Sequence, residues 1–224
     1  MSNRSAILSK IRKNIANADD PKRLNAVNAR LQSRPVGLIP ARGRKPHDKQ
    51  VELFCAQAEK VQSTVTRLSS IDKLPDALSD YLRSRNLPQK LIMGSDPRFD
   101  GAGLQKSKVL EIKKGPSDGS DMVGLGYAVA AVAETGTLMM QSGQDNPTSN
   151  NFLPETHIVV INASDVTGDY EAAWQSLRVK NAHAGMPRTV NMITGPSRSG
   201  DIEQKILLGA HGPRALQIFV IDDV

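Results

Sequence analysis

From residue 90 onward the apolar residues stop recurring at helical intervals and gather into short runs. These are KLIMGSD at 90–96, KVLEI at 108–112, GTLMMQS at 136–142, HIVVIN at 157–162, RTVNMITG at 188–195 and ALQIFVID at 215–222. Each is rich in Val, Ile, Leu and Met and is bounded by Gly, Pro, Asp or Ser. A strand with one wet face alternates apolar with polar; a continuous apolar run of this length reads as a strand covered on both faces. Between the fourth and fifth runs, DYEAAWQSLRVKNA (169–182) predicts a helix with Ala172, Trp174 and Leu177 turned inward. Strand–helix–strand order with buried strands specifies an α/β fold, a largely parallel sheet layered with helices.

Upstream the period is helical. Val51, Phe54, Ala58, Val61, Val65 and Leu68 recur at steps of three and four, predicting one long helix over 51–68. A second is predicted over 72–86 with Leu74, Leu78, Tyr81 and Leu82 inward, and shorter ones over 5–17, where Ser5 can cap and Ile7, Leu8, Ile11 and Ile15 share a face, and over 21–33. Residues 34–50 (RPVGLIPARGRKPHDKQ) hold three prolines and no periodicity, so they read as an irregular connector. The expected organisation is a basic helical extension with its connector over 1–50, followed by one α/β domain over 51–224. A chain of 224 residues is long enough to bury such a core without disulfide or metal support.

Charge and cysteine usage exclude several classes. The net charge of +6 sits in the extension: residues 1–50 carry 12 Lys/Arg against 3 Asp/Glu, and the other 174 carry 17 against 20. No aromatic residue is interleaved with the basic ones, so the stacking platform used on single strands is missing, and nucleic acid is not expected as a partner. The extension reads as a solvated arm or as a dock for an acidic protein. The single cysteine, Cys55, cannot form an internal disulfide, a cysteine-ligated iron–sulfur cluster or a structural zinc site, and its place beside the 51–68 stripe reads as a small buried apolar group. No cofactor is expected in this chain. The first residues lack the apolar core of a secretory signal, Asp19 and Asp20 argue against an organelle transit peptide, and no stretch approaches the ~20 apolar residues of a membrane helix. The cytoplasm is the expected compartment, with no membrane partner.

Three segments hold residues that packing alone does not call for. In AVAETGTLMMQSG (131–143), Glu134, Thr135, Gly136 and Thr137 form a turn leading into a strand. Gly136 permits the tight turn. A glutamate beside small apolar residues can be partly desolvated and suited to nucleophilic or acid–base work; equally, it can brace the turn through backbone amides. TGPSRSGDIEQ (194–204) follows a strand, and Asp201 with Gln204 suggests a helical turn opening there. Such a loop presents free amides to an anion, with Gly195 and Ser197 in it, and Arg198 could clamp a carboxylate or phosphate unless it pairs with Asp201 or Glu203. In LGAHGPRAL (208–216), Gly209 and Gly212 flank His211, which either presents its ring to a site or shapes the turn through a carbonyl bond. His47, His157 and His183 show no metal-ligand spacing, and His157 begins a strand, so no metal site is predicted. Gly124-Leu-Gly126 lacks the third small residue of a dinucleotide fingerprint, and no strand clearly precedes it; no G-x-S-x-G elbow occurs.

AETGTL at 133–138, LPETHIVVI at 153–161 and ITGPSRSGDIEQKILLGAHGPRAL at 193–216 together resemble the LUD domain, specifically the stand-alone lactate-utilisation protein C family, over roughly residues 5–222. The resemblance implies a fold similar to the sugar-phosphate isomerase and CoA-transferase superfamily, an open, mostly parallel sheet between helical layers. It also implies a role in using L-lactate beside iron–sulfur oxidoreductase subunits that convert lactate to pyruvate. In CoA-transferases of similar fold a glutamate at a glycine turn is the nucleophile, which makes Glu134 the analogous candidate on fold alone. SGQDNPTSNNFLPE (142–155) lacks the basic residues that often precede this element in relatives, so the resemblance supports no ligand contact there.

The expectation is a non-redox component of a lactate-oxidising system that binds a small anionic metabolite. Its site would combine Glu134 and His211 as proton-moving groups with Thr135, Gly136, Thr137, Gly195, Ser197, Arg198, Asp201, Gly209 and Gly212 as ligand contacts. The alternatives are an assembly subunit docking an iron–sulfur partner through the basic arm, and an independent transferase or isomerase sharing the fold. Whether the chain is a catalyst stays open on sequence.

Overall fold

The computed structural model describes residues 3–14, 20–202 and 205–222, with the side chains of 14, 201, 202, 205 and 206 set aside. The chain divides into two compact units, Met1–Leu38 and Ile39–Val224. The first holds two helices, α1 (Asn3–Asn14) and α2 (Pro21–Ser33). The start of α2 is legible: Asp20 accepts from the Lys22 amide at 2.9 Å and Pro21 occupies the first turn. α1 begins ahead of Ser5, and Ile15 lies outside the described residues.

The second unit is built on a six-stranded sheet in the order β1 (Thr64–Leu68), β12 (Ala215–Ile221), β7 (Thr156–Asn162), β4 (Val123–Tyr127), β2 (Lys90–Met93) and β3 (Glu111–Lys114), with every pair parallel. Along β7, Ile158 and Val160 join one core with Leu74, Leu78 and Leu82 of α4 (Leu74–Ser84). Val159 and Ile161 join another with Val51, Phe54 and Ala58 of α3 (His47–Lys60). That alternation is why the run reads as continuously apolar: each face has its own hydrocarbon neighbour.

Part of the α3 face is covered by a second sheet, in the order β8 (Val166–Thr167), β5 (Ala130–Val132), β6 (Thr137–Gln141) and β9 (Val190–Ile193). Here β6 pairs antiparallel with both β5 and β9. Leu138 and Met140 face the central sheet, and Met139 faces Ala173 and Leu177 of α6 (Tyr170–Lys180). The architecture is therefore α/β with a mostly parallel central sheet and helical layers, as expected. The runs at 136–142 and 188–195 belong to the second sheet.

Several local expectations are corrected. The predicted 51–68 helix stops at Lys60, Gln62 takes a left-handed φ of 71°, and Val65 and Leu68 lie on β1, where β-branched Thr64, Val65 and Thr66 fit a strand better than another helical turn. Ala173, buried, takes the inward place assigned to exposed Ala172. Gly124-Leu-Gly126 is itself in a strand, β4. A Cβ at Gly124 would lie 2.5 Å from the Asn150 carbonyl oxygen, and one at Gly126 would lie 2.7 Å from Met140 Cε, so these glycines serve close approach. Asp201 does not open a helix: it lies on β10 (Arg198–Ile202), which pairs antiparallel with β11 (Lys205–Leu208). No described helix is long and apolar enough to cross a membrane.

Candidate functional site

A hollow of about 260 Å³ lies at the amino ends of the neighbouring strands β7 and β12. His157 and Leu216, each the second residue of its strand, are paired across that register. One wall comes from Met192 to Arg198, from the end of β9 to the start of β10; another is formed by His211, Gly212 and Pro213, on the approach to β12. Asn151 and Phe152 of the short helix α5 (Thr148–Phe152) complete it.

Ser197 ties the two glycine-rich segments together. Its amide donates to the Pro213 carbonyl at 2.8 Å, its carbonyl accepts from the Gly209 amide at 2.9 Å, and its Oγ accepts from the His211 amide at 3.3 Å. Arg198 is exposed at the rim and, among the described residues, gives one Nη2 hydrogen to the Val61 carbonyl at 2.9 Å. The structure thus brings Gly195, Ser197, Arg198, His211 and Gly212 to one hollow, while Gly209 is outside its lining and bonds to Ser197. The side chain of Asp201 is outside the described ones. With no helix opening at 201, the polar groups at this rim are the Arg198 guanidinium and the Ser197 hydroxyl, while the Ser197, Gly209 and His211 amides are taken up within the loops.

The glutamate turn sits elsewhere. Glu134 is 4% exposed, its amide donates to the Gly168 carbonyl, and its Oε2 lies 3.6 Å from Arg42 Nε with no hydrogen-bond partner among the described residues. Gly136 (φ 69°) is packed so closely under α3 that a Cβ would fall 2.4 Å from the Ala58 nitrogen. The Thr137 hydroxyl lies 2.7 Å from those of Thr135 and Thr194 and 2.9 Å from Tyr170 Oη. One hydroxyl has one hydrogen and two lone pairs, so those three contacts exhaust it and leave nothing for a ligand. The expected convergence of Glu134, Thr135, Gly136 and Thr137 with the late loops is replaced by an indirect link, the Thr137–Thr194 bond, since Thr194 also lines the hollow.

Sequence reasoning missed the inner wall. Asn151 and His157 are each 1% exposed, both line the hollow, and the four polar atoms on their side chains are closed to solvent and have no hydrogen-bond partner among the described residues. Burial alone pushes the His157 imidazole down from its ordinary 6.5 to about 4, so the ring is neutral at physiological pH. The available signals were a histidine leading an otherwise aliphatic run and an Asn-Asn doublet just before it.

A second hollow, of about 240 Å³, lies at the carboxyl ends of β2 and β4, where open α/β sheets usually bind ligands. Its arginine is already committed. Arg98 donates through Nε and Nη2 to Asp96, through Nη1 to the Ala128 carbonyl and through Nη2 to the Tyr127 carbonyl, while stacking 4.1 Å over the Tyr127 ring. It braces the β4 terminus. Cys55 is half-buried on α3, and burial pushes its thiol up, away from a reactive thiolate. Among the described residues no group of His, Cys, Asp and Glu could hold a metal ion.

The LUD domain family matches residues 117–221, a span that includes the whole lining of the first hollow. Lactate utilization protein C of Bacillus subtilis is 32% identical over 170 residues, covering 66% of this chain and 69% of that one. The protein of the same name from Halalkalibacterium halodurans is 28% identical over 188 residues, covering 79% and 80%. Among solved structures, a DUF162 family protein from Deinococcus radiodurans superposes with a TM-score of 0.60 at 18% identity, over 79% of this chain and 99% of that one. That likeness concerns the fold.

Proposed function

The chain belongs to the LUD domain family, among relatives named lactate utilization protein C, and on that footing we propose that it serves lactate utilisation as a non-redox component binding a small carboxylate in the β7–β12 hollow. The observation that carries the reading is the meeting of the two late glycine-rich segments at one hollow with an exposed guanidinium, Arg198, on its rim. A guanidinium beside Ser197 and His211 offers a carboxylate charge-assisted hydrogen bonds. A single cysteine cannot supply a cluster's thiolates, so electron transfer in this reading falls to iron–sulfur oxidoreductase partners.

Calorimetric titration of the full chain with L-lactate and with pyruvate tests it. Arg198→Ala should weaken the bound acid about tenfold to a hundredfold, the worth of a charge-assisted hydrogen bond, with an unchanged circular dichroism spectrum. Equal affinity in the variant removes Arg198 from the site.

A second reading, an assembly role for the extension, is favoured by α1 and α2. They carry no acidic residue and leave Ile7, Ile11, Leu24 and Leu31 exposed. Deleting residues 1–34 separates the two: loss of co-purification with an acidic oxidoreductase partner, with ligand binding intact, assigns docking to the extension and binding to the domain.

A further inference from the structure

Phe152 and Met192 are large apolar side chains left 41% and 43% exposed, and both line the β7–β12 hollow. Exposed apolar residues scattered singly over a surface are ordinary. Two that meet at one concavity are not scattered: each keeps hydrocarbon in water where a guest could withdraw it. Pro213 and Leu216, both buried, extend that wall. The polar side lies close by, and Gly212 joins the two. A Cβ on Gly212 would lie 3.9 Å from Phe152 Cδ1, 3.3 Å from Ser197 Cβ and 3.7 Å from Ser197 Oγ. The ring edge and the hydroxyl therefore flank a single point, kept open by the missing side chain, and one small molecule set there meets both. Arg198, next to Ser197, brings positive charge to the same rim, and the described lining contains no Asp or Glu.

We propose that the hollow binds amphipathic carboxylates in preference to three-carbon acids, the apolar tail lying against Phe152 and Met192 while the carboxylate faces Ser197 and Arg198. This rests on reading the hollow as a carboxylate site. The volume of about 260 Å³ corresponds to roughly eight or nine waters at ~30 Å³ each, and an acid of about six carbons, with its two oxygens, has that many heavy atoms. A three-carbon acid held at Arg198 would leave much of the space as water against hydrocarbon. A largely apolar concavity with a few placed polar groups is the usual form of a small-molecule site. Each methylene withdrawn from water is worth about fourfold in affinity. The three that separate hexanoate from propionate are then worth roughly sixtyfold if fully covered and on the order of tenfold if half covered.

The test is calorimetry on the full chain with L-lactate, propionate, hexanoate and hexan-1-ol. The native protein should bind hexanoate at least about fivefold more tightly than propionate or L-lactate, and about tenfold or more tightly than hexan-1-ol. Phe152→Ser and Met192→Thr, each at an exposed position, should each cut the hexanoate-to-propionate ratio at least in half. Arg198→Ala should weaken both acids by the same factor and leave their ratio as it is. A smaller native preference for hexanoate over either short acid overturns the tail and leaves the carboxylate site standing. A native ratio that survives in both wall variants places the tail elsewhere and overturns the assignment. Hexan-1-ol binding closer to hexanoate than stated removes the carboxylate from the reading, and no binding of any of the four overturns both the site and its tail.

Discussion

Acidification should destabilise this protein through His157 in a narrow window, and the size of the effect follows from the burial of one ring. The imidazole titrates near 6.5 in the unfolded chain and at about 4 when folded, because burial withdraws water from the charged form. Between those values the unfolded state binds the proton and the folded state does not. The stability held above pH 6.5 is therefore lost as the pH falls toward 4 and changes no further below it. At ~1.36 kcal/mol per pH unit, about 2 kcal/mol is gone at pH 5 and roughly 3.4 kcal/mol below pH 4. Urea unfolding of the native chain and of His157→Phe at pH 7.5 and pH 5 isolates this term, since every other titrating group is common to both. The native midpoint should fall relative to the variant's by on the order of 1 M urea for a protein of this size. A gap between the two that is the same at both pH values would refute the reasoning, and would mean that the ring finds a proton acceptor or water when folded.

Two further outcomes concern the glutamate turn. Gly136→Ala combines a left-handed φ with a Cβ 2.4 Å from the Ala58 nitrogen and 2.6 Å from the Gln57 carbonyl carbon, and should cost about 3 kcal/mol or more, lowering the melting temperature by roughly 6–12 °C. A loss below 2 °C would contradict the close packing described. Thr137→Val removes the hub of three hydroxyl contacts and should cost ~1–3 kcal/mol in chemical denaturation, with Thr137→Ser restoring most of it; equal losses in the two variants would shift the cause from the hydroxyl to the methyl.

The elements that sequence identified correctly are those whose local pattern and tertiary role agree. β7 and β12 are aliphatic throughout because hydrocarbon lies on both sides, and α4 shows its stripe because its opposite face is wet. β4 was missed because two of its five residues are glycines, required by the Asn150 carbonyl and Met140, and contacts that far along the chain leave no local signature. The end of α3 was missed for a similar reason: helical spacing continues through Val61 and Val65 although the chain turns at Gln62. At the site, the glycine loops around Ser197 and His211 declared themselves by composition. The Glu134 turn declared itself equally well, yet α3 closes over it, and only the assembled fold decides that. Asn151 and His157 reversed the case, since asparagine and histidine next to a strand are ordinary until their burial and lack of partners are known.

The alternation along β7 has one more effect. Positions 157, 159 and 161 point the same way, and Val159 and Ile161 are held in hydrocarbon against the α3 layer, while Ile158 and Val160 are held in the opposite layer. Sliding the strand by a single residue would drive four aliphatic side chains out of their layers at once. The imidazole is thus aimed by its greasy neighbours and needs no bond of its own to keep its bearing, which is why its nitrogens can stay uncommitted.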